Sequence, residues 1–300
     1  MFPEDPFSNR SAGATAAPFL KFPAGARVSA LGGTSAAVSE GSEAVFYNPA
    51  GILARRGQGN SDLNLGYSNL ISGAQAGSAA YSRSLGKTGT VAAGLVYFAH
   101  GSQTAFDAKG DPVGSFSPSD FALTAAYAHG FGKAVRAGAG IKAIRSSLQS
   151  DSAGAAAVDL GVQLLGLVNL GDGPLDLGAS VSNLGMPMRL GDVSQPLPLA
   201  LSGGVLWHVN PALAASMDGH LPVDDDPYMS LGVELLISLG KTGSASVRAG
   251  YDQGAQRGVD GLAGVTAGGG VDFGWLRFDY AWAPYGDLGH ANRANLGFRF

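Results

Sequence analysis

Cysteine is absent from the 300 residues, which excludes a disulfide scaffold and any thiolate metal or redox chemistry. Charge is scarce. Asp, Glu, Lys and Arg make up 14% of the chain, against about 25% in an ordinary soluble domain, while the hydrophobic share is an ordinary 45%. The net charge of −4 comes with no Lys/Arg cluster, so nucleic acid is not an expected partner. No apolar run approaches the ~18 residues of a transmembrane helix. The opening MFPEDPFSNR has acids where a signal peptide carries bases, and no apolar stretch follows it. Glycine, by contrast, is abundant: 47 residues, roughly twice the usual ~7% share, and without a Gly-X-Y period.

From residue 61 onward the chain divides into segments of about ten residues with period-2 alternation. The predicted strands are 61–69, 76–84, 90–99, 119–129, 134–145, 155–165, 174–183, 198–208, 212–220, 228–238, 244–252, 261–271, 274–283 and 292–300. Alternation is clearest late in the chain. Leu231, Val233, Leu235 and Ile237 share one face, with Gly232, Glu234 and Ser238 on the other. Val247, Ala249 and Tyr251 oppose Arg248, Gly250 and Asp252. Phe278, Tyr280 and Trp282 oppose Arg277 and Asp279. One face of each strand is apolar and the other small or charged.

The connections alternate in length. Those at 85–89, 130–133, 209–212, 239–243 and 272–274 are tight turns, whereas 100–118, 184–197, 221–227, 253–260 and 284–291 are longer and rich in Gly, Pro, Asp and Ser. Short turns at one end and long loops at the other describe a transmembrane antiparallel β-barrel of about 14 strands, with both termini on the short-turn, periplasmic side. A soluble β-sandwich uses the same alternation but calls for a more charged exterior. The chain ends in ANLGFRF, where Leu296, Phe298 and Phe300 alternate. That pattern resembles the terminal signal read by the outer-membrane barrel assembly machinery. Trp275, Tyr280, Trp282, Tyr285 and Phe298 crowd the last hairpin as interface aromatics do.

Residues 42–55, SEAVFYNPAGILAR, break the pattern. Asn48 is a suitable N-cap and Pro49 suits the first helical position, while Phe46 and Tyr47 supply apolar anchors. A helix this short needs something to pack on, and the polar lumen is the available concave surface. Gly138, Gly140, Gly161, Gly178 and Gly250, at inward positions, leave room for it.

The stretch GARVSALGGTSAAVSEGSEAVFYNPAGI resembles the N-terminal signature of the PorV/PorQ family of outer-membrane proteins, which are similar to FadL-type transporters of long-chain fatty acids. SVSNLG at 180–185 and FDYAWAPYGDLGHANRANLGFRF at 278–300 resemble that family's middle and C-terminal blocks. The resemblance, which spans 25–300, implies a fourteen-stranded barrel with an N-terminal hatch; we place the barrel over 59–300 and the lumenal hatch over 25–58, and read residues 1–24 as an extended periplasmic or partly lumenal lead-in. The hatch carries Asn48, Pro49 and Ala50, with Asn48–Gly51 as its moving part. It also implies a bacterial outer-membrane location, which requires a signal peptide removed or upstream.

Two functions follow from the resemblance. One is passage of hydrophobic small molecules through a hatch-gated lumen. The other is a PorV-like role in type IX protein secretion, binding exported protein cargo. Outer-membrane lipid and the assembly machinery are partners in either case. An enzyme is not expected. GKT at 86–88 and 240–242 lacks the phosphate loop's first glycine, since positions 81 and 235 are Tyr and Leu. His100, His129, His208, His220 and His290 show no ligand spacing and are expected in loops or at interfaces. Asp224–Asp226, with Asp218, offer the oxygen ligands that calcium takes, although an acidic solvated loop is the simpler account. No cofactor is expected. The inward charges Glu234, Arg248, Asp252, Arg277, Asp279 and Arg299 form a polar lining that either holds the hatch by ion pairs or stands alone in water.

Overall fold

A strand with one apolar and one polar face needs a boundary between two media, and a ring of such strands supplies one on both sides. The computed structural model describes residues 2–53, 59–149, 151–171, 173–190 and 192–300. Fourteen antiparallel strands close into one barrel. In chain order they are Ser61–Asn69, Gln75–Ser84, Thr90–Ala99, Ser119–Phe131, Val135–Leu148, Asp151–Leu170, Gly173–Gly185, Ala200–Asn210, Leu213–Pro222, Tyr228–Ser238, Ser244–Asp252, Val265–Asp272, Leu276–Pro284 and His290–Arg299. The first strand pairs with the last, Leu63 opposite Phe298 and Leu65 opposite Leu296, so no edge remains. Two small hairpins, built from Gln103–Phe116 and Met188–Gln195, rise from the long-loop end. Residues 54–58 of the predicted hatch lie outside the described residues.

The outer surface is apolar. Leu95, Tyr97, Leu123, Ile141, Leu160, Leu231, Val233, Val247 and Phe278 are exposed, and Phe131, Phe273, Trp275 and Phe300 stand at the short-turn rim. Their inward neighbours are buried and polar: Thr124, Lys142, Asp159, Arg248 and Asp279. Among the described residues no helix is long and apolar enough to cross a membrane; the strands do it instead.

The sixth strand runs for 20 residues, well beyond the predicted 155–165. Hairpin pairing carries it past the alternating stretch at both ends, with Leu148 opposite Asp151 and Leu170 opposite Gly173. Tyr285, predicted at the membrane interface, instead packs inward against the cluster of Phe19, Leu70, Phe98 and Met188.

The N-terminal residues depart further from expectation. They are not extended, because 3-10 turns form at Asn9–Ser11 and Pro18–Lys21. Nor do they lie at the short-turn end with the C-terminus. Phe7 N–H donates to the Val223 carbonyl at 2.8 Å, Ala16 N–H to that of Pro196 at 2.9 Å, and Asn9 N–H to Asp226 at 3.0 Å. Phe19 packs on Phe98, with ring centroids 6.5 Å apart. These polar and apolar partners lie only at the long-loop mouth, and they draw the start of the chain across it as a strap.

Val233 faces lipid midway along the tenth strand. Val233→Arg is predicted to lower the unfolding free energy by about 2–4 kcal/mol, while Val233→Leu changes it by less than ~0.5 kcal/mol. Urea unfolding from lipid vesicles measures both, and equal values would overturn the outward assignment.

Candidate functional site: the lumen and its segment

Residues 25–53 lie inside the ring, and their composition explains how they fit. The chain here is mostly Ala, Gly, Ser and Val, so its backbone approaches the strands closely. A β-carbon added to Gly161 would fall 1.9 Å from Asn48 Oδ1, one on Gly138 2.4 Å from the Pro49 carbonyl carbon, one on Gly178 2.0 Å from the Ala36 oxygen, and one on Gly250 2.1 Å from Gly32 N. Four of the five expected glycines thus make room for the segment. The fifth, Gly140, meets only wall atoms of Thr124, Ala125 and Ala126.

The segment begins with a short helix, Ala26–Ala30, against the twelfth and thirteenth strands. It then makes 3-10 turns at Ser42–Phe46 and Pro49–Ile52. The capped turn foreseen at Asn48 exists, but as a single 3-10 turn rather than an α-helix. Asn48 is fully buried. Its Oδ1 accepts from Ala50 N–H at 3.1 Å, and its Nδ2 donates to the Ala36 oxygen at 2.6 Å and the Val162 oxygen at 3.2 Å. One side chain therefore caps its own turn, ties two parts of the segment together, and reaches the wall. Ile52 and Val45 bury against Ala80, Ala92, Ala126 and Ala128. Phe46 packs at Gly94, the Tyr47 hydroxyl accepts from Gly25 N–H at 2.7 Å, and Gly51 crosses the Ser39 carbonyl.

Ion pairs join the segment to the wall on the short-turn side. Arg27, from the segment, donates to Glu234 at 2.7 Å and lies 3.3 Å from Glu40. Glu234 also accepts from Arg248 at 2.6 Å, Arg248 donates to Asp279 at 2.6 Å, and Arg277 stands 3.3 Å from Asp279. The chain of charges Arg27–Glu234–Arg248–Asp279–Arg277 therefore contains four of the six predicted lining residues. Arg299 pairs with Asp272 of the wall at 3.0 Å, apart from the segment. Asp252 belongs to neither group; it caps the turn Gln253–Gln256 on the long-loop side.

Several groups have roles in the structure that the sequence pattern does not assign to them. Arg27 sits in the segment rather than on a strand, and its partner lies 207 residues away. Asp218 holds the segment by accepting from Ser35 and Ala36 N–H at 2.6 and 2.8 Å. Gln163 donates to the Ser39 oxygen at 3.0 Å. Asp224, weighed as a calcium ligand, accepts from Thr15 and from Lys21 of the strap. His100 and His208 pair with Asp120 and Asp176, at 2.6 and 3.0 Å.

Two cavities lie on opposite sides of the segment. The larger, about 410 Å³, sits under the strap and is lined by Phe19, Phe22, Val96, Lys142, Asn183, His220, Tyr228, Ser230 and Asp252. The smaller, about 200 Å³, is lined by Arg27, Glu40, Glu234, Arg248, Arg277 and Arg299. They share no lining residue, and Val28–Ser35 of the segment bounds one while Arg27 and Glu40 bound the other.

The sequence model of the family described as Type IX secretion system protein PorV matches residues 6–205. The chain belongs to the PorV family. No match was found among curated proteins. Among solved structures, the Ralstonia pickettii toluene transporter TbuX is similar, with a TM-score of 0.61 at 16% identity over 92% of this chain and 98% of that one. The Pseudomonas putida toluene transporter TodX gives 0.57 at 15% identity over 91% and 96%. The monoaromatic hydrocarbon channel CymD gives 0.59 at 12% identity over 92% and 97%. These likenesses are of fold. This PorV-family chain is thus an outer-membrane β-barrel of FadL-like architecture.

Glu234→Ala leaves both Arg27 and Arg248 without their shared carboxylate. It is predicted to cost about 3–5 kcal/mol of stability and to raise ion conductance in planar bilayers. Arg248→Ala and Arg277→Ala should raise the leak too, the first because Arg248 bridges Glu234 and Asp279, the second because Arg277 faces Asp279 and the segment's Glu40 and Glu43. Unchanged conductance in all three would show that the ion pairs do not hold the segment. Gly161→Val drives a side chain into Asn48 and should open the lumen without touching any charge.

Proposed function

We propose that the barrel takes small hydrophobic or amphipathic molecules into the cavity under the strap and passes them across the outer membrane, with Asn48–Gly51 as the gate. The observation that carries this reading is the 410 Å³ cavity, which joins apolar side chains to a few polar ones. It ends at a segment held by hydrogen bonds and ion pairs. The resemblance of the fold to toluene transporters supports it. No catalysis is part of this reading. Leu296, Phe298 and Phe300 serve assembly: Phe300 closes the ring through the amides of Asn60 and Ser61, and its ring is exposed at the rim for the assembly machinery.

A second reading has its own observation. Phe106, Val113, Met186 and Val193 are all more than 60% exposed, on or beside the two hairpins at the long-loop end. Apolar residues projecting beyond the membrane fit binding of exported protein cargo, the role that the family description points to.

Mass spectrometry of the barrel released gently from its native membrane separates the two. Co-purifying apolar small molecules are the expected result and support the transport reading. A stoichiometric exported protein with an empty lumen would move the function to the hairpins and leave the Asn48 turn as a static plug.

A further inference from the structure

The cavity under the strap is polar at one end, and that polarity has a definite sign. Gly33 lies at its floor with a left-handed backbone, φ +89°. A methyl group on its α-carbon would stand 3.6 Å from Ser230 Oγ and 3.7 Å from Asp252 Oδ2, so both oxygens converge on the space above Gly33. Ser230 is fully buried, yet its Oγ has no hydrogen-bond partner. Asp252 uses Oδ1 to cap the Gly254 and Ala255 amides at 2.8 and 3.3 Å, which leaves Oδ2 toward Gly33.

The cations around this point are engaged elsewhere. Lys21 pairs with Asp224, and Lys142 with Asp159 at 2.9 Å. Arg257 lies 3.8 Å from Asp225 and donates to the carbonyls of Asp226 and Pro227. Among the described residues, none places a cation within ion-pair distance of Asp252. A largely buried carboxylate with no cation in contact, Arg257 acting on it only from beyond ion-pair distance, is costly, and a ligand that brings a positive donor relieves that cost.

We infer that this cavity takes amphiphiles whose polar end is a hydrogen-bond donor, above all a primary ammonium held between Asp252 Oδ2 and Ser230 Oγ. The apolar body lies against Phe19, Phe22 and Val96. A carboxylate head meets like charge at Asp252 and is disfavoured. The inference rests on the small-molecule reading above and fixes the class of molecule.

The test uses the full chain in lipid nanodiscs, titrated calorimetrically at neutral pH with phenylbutylamine, phenylbutanol and phenylbutyrate, which share one apolar body. The amine should bind at least about tenfold tighter than the carboxylate, with the alcohol between them. Asp252→Asn keeps the Oδ1 cap and should weaken the amine about tenfold while leaving the alcohol nearly unchanged. Ser230→Ala should weaken both. Retained heat-modifiable migration on gels confirms that each variant is folded. A carboxylate bound as tightly as the amine overturns the head-group assignment and leaves transport standing. An amine preference that survives Asp252→Asn also overturns it, because the head then sits elsewhere. Failure of all three probes to bind overturns the transport reading as well.

Discussion

Closure of the ring is the constraint on which the rest depends. At membrane depth no water satisfies an unpaired amide or carbonyl, so every backbone group must find its partner within the chain. The pairing of Ser61–Asn69 with His290–Arg299 removes the two edges that an open sheet would leave. Once the ring is closed, the number of strands sets its width, and fourteen strands enclose more space than wall side chains alone can fill. Residues 25–53 answer that surplus volume.

The way the segment fills the lumen follows from the wall's alternation. The wall sends polar and small side chains inward, so an apolar plug would leave buried donors and acceptors unmatched. The segment therefore offers its own backbone. Thr266 bonds to Gly32 N–H and the Ala30 carbonyl, Asp218 to two amides, and Asn295 to Ala26 N–H. Backbone can come that close only where the wall lacks a β-carbon, and this is why the glycines at 161, 178 and 250 face inward. Glycine weakens a strand, but here each one creates the seat for a peptide group.

Strand positions were legible because period 2 is a local signal. Tyr228–Ser238 and Ser244–Asp252 match their predicted limits, and the five-residue turn between them places Glu234 opposite Arg248, so that ion pair was within reach of the pattern. The sixth strand outran its prediction because the stretch after Leu165 no longer alternates, and its length is set by pairing with its neighbours. Arg27 could not be found by such reasoning, since a residue that is not on a strand has no register to a strand 207 residues away. The same holds for Ser230, whose interest lies in an oxygen left without a partner. The strap was misplaced for a related reason: short 3-10 turns carry no address, and only Asp224, Asp226 and Phe98 at the far mouth assign one.

The bonds that seat the segment also bound how it can move. About a dozen side-chain hydrogen bonds join residues 25–53 to the wall. At about 1 kcal/mol net each, removing the whole segment costs on the order of 10 kcal/mol, comparable to the ~5–15 kcal/mol that holds a typical fold together. Wholesale ejection of the segment is therefore excluded on energetic grounds. The Asn48 turn is different. Its direct wall bonds are those to the Val162 and Ala179 oxygens, at 3.2 and 3.4 Å, and Ile52 is its main apolar anchor. Shifting that turn breaks those two long bonds, the 2.6 Å bond from Asn48 to the Ala36 oxygen and the bond from Gly41 N–H to the Gly51 oxygen, and it disturbs the buried Pro49–Ile52; this is still less than removing the whole segment. On the proposed transport reading, the opening would therefore be a local rearrangement of the segment, with Arg27 keeping the rest of it tied to Glu234.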